Sequence, residues 1–298
     1  MKRDFLKLND LSRDEFEALF EKSAEVKDKR VRNIPHQPLK GKSLGMIFEK
    51  HSTRTRISFE VGMFELGGHG LLLDSRQMQL GRGESIEDSA QVLSRYLHGI
   101  MIRTYEFEKV ETLARHATIP VINGLTDLNH PVQVLCDLFT IREKRGKVDG
   151  IKVAYVGDGN NVAYSWAMAT LIFDIQLSVA CPGMYQLKKE DLPETSARIE
   201  LLEDPYRAVK DADVIYTDVW VSMGQEESEA KIERLKPYQI NQNLVNAAGK
   251  EVLVMHCLPA HRGLEITADV LDGPCSIVFD QAENRLHVQK ALMEKLLT

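Results

Sequence analysis

Two spacings of apolar residues alternate along the chain. Continuous apolar runs such as "KSLGMIFEK" and "IKVAYVGDG" read as buried strands, and stretches with apolar residues every three or four positions read as helices. "LSRDEFEALFEKSAEVKDK" opens with Ser12 and has Glu15 at the capping-box spacing, ahead of Phe16, Leu19 and Phe20, which predicts a helix. A strand ending at Phe48 leads into "STRTR", where a second helix begins, with Ile57, Val61 and Phe64 expected on its inner face. "GHGLLLD", "HGIMIRT" and "IPVING" follow as strands, alternating with helices "SIEDSAQVLSRYL", "KVETLARHA" and "HPVQVLCDLFTIREKRG".

Apolar content drops in "REKRGKVDG", which carries Gly146 and Gly150 and marks the predicted domain boundary. The alternation then restarts with strand "IKVAYVGDG", helix "NNVAYSWAMATLIF", strands "IQLSVACP", "DADVIYTDV" and "EVLVMHCLP", and the closing helix "ENRLHVQKALMEKLL". Strands alternating with helices imply parallel sheets, with ligands beyond the strands' C-terminal ends. The fold class expected is α/β: two Rossmann-like parallel-sheet domains, with the active site in the cleft between them.

Composition narrows the partner. The chain has 298 residues and 43% apolar content, and its net charge of −6 comes from 38 basic residues scattered among 44 acidic ones. Neither nucleic acid nor membrane is expected from that distribution, and a small molecule is. The N-terminus mixes acids and bases through every turn, unlike a signal or transit peptide. Cys136, Cys181, Cys257 and Cys275 lie far apart with no CxxC pair, which argues against a disulfide framework or structural zinc and for a reducing cytoplasm.

Four stretches carry candidate chemistry. At Ser52–Arg56, a helix start supplies unpaired N–H groups and a positive dipole end, while hydroxyls and arginines add donors suited to phosphate. A P-loop is excluded there because His36 stands where its first glycine belongs, and a GxSxG elbow because Ser43 enters a strand instead of leaving one. "GDGNN" is a tight strand-to-helix turn, but Val162 replaces the third glycine of a dinucleotide fingerprint and the next strand ends "VACP" without an acid, so no nicotinamide cofactor is expected. Its Asn160 and Asn161 serve either the turn or a ligand. "NHPVQ" sets His130 and Gln133 around a helix start with Pro131 in the first turn. "HCLPAHRG" puts His256 and Cys257 at a strand end; zinc would need a third ligand at usable spacing, so no metal is expected.

Taken together and in order, "STRTR", "QMQLGRGE", "MIRT", "HPVQ", "DVWVSMGQE" and "HCLPAHRG" resemble the aspartate/ornithine carbamoyltransferase family over the full chain, and the last two are similar to its ornithine branch. The resemblance implies a carbamoyl phosphate-binding domain over 1–145, an ornithine-binding domain over 146–282, and a closing helix near 283–298 packed back on the first. It implies that Ser52, Thr53, Arg54 and Thr55 bind phosphate, that Arg103, His130 and Gln133 hold the carbamoyl group, and that Gln79 and Arg285 join the carbamoyl phosphate site. Asn161, Asp218, Ser222 and Met223 would take the amino-acid end of ornithine; Cys257 and Leu258 would lie at the reacting amine and the carbamoyl phosphate. Arg103, His130 and Cys257 are then the catalytic set. Tyr164 departs from the Asn or His of relatives, in the wall of the ornithine pocket.

The chemistry implied is attack of the ornithine side-chain amine on carbamoyl phosphate, giving citrulline and phosphate for arginine synthesis, without cofactor or metal. An alkyl amine titrating near 10.4 is only about one part in a thousand neutral near pH 7.4, a cost of about 4 kcal/mol that the site must lower. The family also implies a homotrimer or a multiple of trimers. The alternatives are another amine acceptor, such as putrescine or an acylated ornithine, and a ligand-binding relative without catalysis.

Overall fold

The computed structural model describes residues 2–74, 83–193, 196–221, 229–249 and 251–298. Gln79, Ser222 and Met223 therefore lie outside the described residues. By its internal contacts the chain divides into two units, Met1–Phe139 with Glu283–Thr298, and Thr140–Ala282.

The first unit runs α1 (Arg13–Val31), β1 (Ser43–Phe48), α2 (Thr53–Glu65), β2 (His69–Asp74), α3 (Ile86–Tyr96), β3 (Gly99–Arg103), α4 (Phe107–His116), β4 (Val121–Leu125) and the start of α5 (Pro131–Arg145). Its four strands are all parallel, in the order β2-β1-β3-β4. The capping box at Ser12 is present, with Glu15 N–H donating to Ser12 Oγ at 3.3 Å and Ser12 N–H to Glu15 Oε2 at 3.0 Å. Phe16, Leu19 and Phe20 are buried behind it.

The second unit contains β5 (Ile151–Val156), α6 (Asn161–Ala169), β6 (Ile175–Ala180), β7 (Ile199–Leu202), α7 (Pro205–Val209), β8 (Val214–Thr217), α8 (Glu229–Leu235), α9 (Gln242–Asn246), β9 (Leu253–His256) and α10 (Ala268–Leu271). Its five strands are again parallel, in the order β7-β6-β5-β8-β9. The edge strand β7, "IELL", is absent from the expected elements: Glu200 interrupts it and only Leu202 is buried, so it lacks the continuous apolar run that marks the equally short β8 and β9. Helix α11 (Val278–Leu297) closes the chain. No described helix is long and apolar enough to cross a membrane.

The inner face of α2 differs from the expected one. Ile57 is 53% exposed and Phe64 78%, whereas Thr55, Ser58, Phe59, Gly62 and Met63 are buried. Close packing against α11 is the reason. A Cβ on Gly62 would stand 2.8 Å from Met293 Cε and 3.3 Å from Lys290 Cγ, so the face carrying Gly62 turns inward, and Ile57 and Phe64 turn outward with Val61 half-buried between them.

Candidate functional site

In each sheet the strand order reverses beside the first strand of the unit, and such switch points leave a crevice beyond the strands' C-terminal ends. In the first unit, β1 and β3 flank that point with Phe48 opposite Arg103. In the second, β5 and β8 flank it, and the neighbouring register sets Thr217 opposite His256, so Asp218 and Cys257 emerge side by side.

The first unit gathers a cationic site. Ser52 caps α2, accepting from Thr55 N–H at 3.3 Å. Buried Thr55 accepts at Oγ1 from Arg103 Nη1 and from Arg285 Nη2, both at 3.4 Å. Arg285 reaches here from α11, and its Nη1 also donates to Gln133 Oε1. His130 precedes α5, after a turn closed by Thr126 N–H to Asn129 O at 2.9 Å, and is 5% exposed. Burial, then the charges of Arg285, Arg103 and Arg54, hold its pKa well below the usual 6.5, so the imidazole is neutral. Ser52, Arg54, Thr55, Arg103, His130, Gln133 and Arg285 are thus brought to one end of the sheet, with Thr53 exposed at the first position of α2. Arg56 points away, pairing with Glu60 on the helix surface at 3.3 Å.

Two residues behind this site had not been expected. Gln133 Nε2 donates to buried Asp137 at 2.8 Å, and the Gln289 amide, oriented with its nitrogen 2.6 Å from Ser58 Oγ, accepts from Arg285 Nε at 3.1 Å and Nη2 at 3.0 Å. Both lie four residues beyond a predicted site residue on the same helix. That i,i+4 spacing is the signal that could have found them.

The second unit gathers an acid and a thiol. Asp218 Oδ1 accepts from Val219 N–H and Cys257 Sγ, each at 2.8 Å, and Oδ2 accepts from Asn160 Nδ2 at 2.7 Å. Asn161 opens α6 half-buried, and Tyr164, one turn on, is also half-buried with its hydroxyl pKa raised by burial. At Gly159 a Cβ would stand 2.4 Å from Tyr185 O, so the turn admits no side chain there. Leu258 takes a left-handed φ of 57° and donates its N–H to His256 Nδ1 at 2.8 Å.

Asp218, His256 and Cys257 offer ligand atoms within 4.8 Å of one another. His256 Nδ1 accepts from Leu258 N–H at 2.8 Å and its Nε2 faces Glu265 Oε1 at 3.1 Å, with His256 and Glu265 fully buried, so a metal at either nitrogen would displace one of these bonds. The cluster is built as a hydrogen-bonded network.

Comparison with known proteins divides the chain near the same point but carries the closing helix with the second domain. The carbamoyl-P binding domain of aspartate/ornithine carbamoyltransferase matches residues 3–143, and the Asp/Orn binding domain matches residues 149–296. The chain is 56% identical over 302 residues to ornithine carbamoyltransferase of Syntrophus aciditrophicus, with 100% of both chains covered, and 52% identical over 301 residues to that of Methanosarcina mazei, with the same coverage. Among solved structures it is similar to ornithine carbamoyltransferase from Pyrococcus furiosus, at TM-score 0.93 and 51% identity over 98% of this chain and 96% of that one. It also resembles the anabolic ornithine carbamoyltransferase of Campylobacter jejuni, at TM-score 0.92 and 40% identity over 99% of both chains. With both domains matched and full-length relatives above half identity, this chain belongs to the aspartate/ornithine carbamoyltransferase family.

Proposed function

We propose that this chain transfers the carbamoyl group of carbamoyl phosphate to the side-chain amine of L-ornithine, giving L-citrulline and phosphate. The observation that carries the donor half is the neutral His130 among Arg54, Arg103 and Arg285 at the capped start of α2. Three guanidinium groups and a helix N-terminus suit the phosphate of an acyl phosphate. The acceptor half rests on the ornithine carbamoyltransferases that match the chain end to end.

In this reading Ser52, Thr53, Arg54, Thr55 and Arg285 hold the phosphate, with Gln79 from the QMQLGRGE stretch, and Gln133 and Leu258 contact the carbamoyl group. Arg103 stabilises the oxyanion that forms when the amine adds, and neutral His130 hydrogen-bonds the same oxygen. Asn161, Asp218, Ser222 and Met223 take the amino-acid end of ornithine. The amine must first lose the extra proton of its ammonium form. That proton can pass to Cys257 sulfur as the thiol's own proton passes to Asp218, along the 2.8 Å contact between them, and from Asp218 to solvent before the amine adds. The C–N bond then forms, the C–O bond to phosphate breaks, and the departing phosphate takes the remaining proton.

The domain roles follow: 1–145 with the closing helix for carbamoyl phosphate, 146–282 for ornithine. We further propose a homotrimer or a multiple of trimers, supported by the exposed Ile57 and Phe64 on α2. A cytoplasmic setting is supported by four free cysteines, and service in arginine synthesis by the likeness to an anabolic relative. The test is phosphate release from carbamoyl phosphate with ornithine, putrescine, N-acetylornithine and aspartate offered in parallel. Citrulline formed with ornithine alone is the expected result. Turnover of another acceptor would overturn the acceptor, and no turnover at all would leave a ligand-binding relative.

A further inference from the structure

Of the two asparagines in the GDGNN turn, only Asn161 has a role so far. We propose that Asn160 is a positioning residue, which fixes the carboxylate of Asp218 and, through it, the thiol of Cys257. The proposal rests on the reading of Asp218 and Cys257 as acceptor-site residues.

The geometry leaves the Asn160 amide one orientation. Its Oδ1 accepts from Val162 N–H at 2.9 Å, Ala163 N–H at 3.3 Å and the Tyr155 hydroxyl at 2.9 Å. Flipping the amide would break all three bonds, so Nδ2 must face Asp218 Oδ2, 2.7 Å away. The anchor is rigid. Tyr155 is fully buried and stacks on Tyr216 at 5.7 Å and 15°, and Trp166 meets Tyr216 edge-on at 5.8 Å. The phenol stays protonated, since burial and the nearby Asp218 and Asp158 push its pKa well above 10, and it is therefore a dependable donor.

Asp218 is correspondingly held at both oxygens. Asn160 fixes Oδ2 while Val219 N–H and the Cys257 thiol fix Oδ1. Without Asn160 the carboxylate keeps only one edge of this frame and can rotate away from the thiol. The residue type is also specific. Aspartate would cap the helix but set a second carboxylate against Asp218, and serine would cap it but fall short of Asp218.

That difference separates a cap from a positioning residue. The experiment compares N160S, N160D, Y155F and D218A in the full-length protein by thermal midpoint, carbamoyl phosphate affinity, and kcat and KM for ornithine. N160S keeps a capping oxygen, so its midpoint and carbamoyl phosphate affinity are expected to stay near wild type. Its kcat/KM for ornithine should fall about ten- to a hundredfold, the range for losing a hydrogen bond to a charged group. N160D should lose more, from repulsion, and Y155F less, because Nδ2 remains. Wild-type kcat and KM in N160S and Y155F, with D218A inactive, would make Asn160 a cap only and overturn the proposal. Wild-type kinetics in D218A would instead remove the acceptor-site reading, and this proposal with it.

Discussion

Replacing Arg285 by methionine tests the cationic site at its least local member, a residue 230 positions away in sequence from Thr55, which it touches. Arg285 is 5% exposed, and its guanidinium is shared among Gln133, Thr55 and Gln289. Methionine fills similar volume without donors or charge. Two effects on stability oppose each other: the acceptors of Gln133 and Gln289 lose a donor, at about 1–3 kcal/mol each, and a buried cation beside two other arginines is removed, which relieves desolvation and repulsion of comparable size. The fold should therefore survive. No such compensation exists for a phosphate ligand, which loses a charge-assisted hydrogen bond of about 1.5–3 kcal/mol, or about 10- to 150-fold in Kd. His130 should stay neutral, because burial, Arg103 and Arg54 still depress its pKa. Calorimetric titration with carbamoyl phosphate and with inorganic phosphate, at fixed ionic strength, reads the loss; thermal denaturation checks the fold. Affinity within twofold of wild type for R285M, alongside a large loss for R54M, would refute Arg285 as a phosphate ligand.

Other expectations follow from the same contacts. C257A should lower kcat far more than carbamoyl phosphate affinity, and wild-type kcat/KM for ornithine should rise about tenfold per pH unit through neutrality as the amine deprotonates; a flat profile would contradict a rate set by the neutral amine. S52A should cost about 1 kcal/mol of stability through the lost cap and should weaken phosphate binding, whereas R56A, a surface ion pair, should change neither measurably. His287, fully buried, has its pKa lowered by burial to about 4 from 6.5. The unfolded chain binds a proton there that the folded chain excludes, so stability is full above pH 6.5 and falls by up to about 3 kcal/mol as pH drops toward 4. H287Q should lessen that acid loss in urea denaturation, with the part due to His130 remaining.

Much of the architecture was legible because parallel strands are continuous apolar runs and their connecting loops concentrate the chemistry at one end. STRTR, HPVQ and HCLP could each be placed at a strand end or helix start from periodicity, whereas it is the resemblance to the family that singles out Arg103 and Asp218. What periodicity could not supply was which face of α2 turns inward. Apolar Ile57, Val61 and Phe64 are the natural choice until α11 is known to pack at Gly62, and that contact joins residues more than 200 positions apart. For the same reason the residues behind the site were missed. Asp137 and Gln289 look like ordinary polar helix residues, and only the fold shows that each fixes an amide or guanidinium one helical turn away.

Those supporting residues also explain how one site can bury so much positive charge. Arg103 and Arg285 are both less than a tenth exposed, with His130 beside them. A protonated imidazole there would add a further cation, and the depressed pKa is the consequence. Neutral acceptors, Thr55 and the amides of Gln133 and Gln289, occupy guanidinium donors without cancelling their charge, and the carboxylate of Asp137 engages Gln133 at 2.8 Å. A carboxylate bound directly to Arg285 would neutralise the field a phosphate needs; an amide interposed between them preserves it. Q133E should therefore weaken phosphate binding more than Q133A, because it places a negative charge on Arg285, whereas alanine only removes a neutral partner. The reverse order in a phosphate titration would mean that the amide's shape, and not its neutrality, is what the site requires.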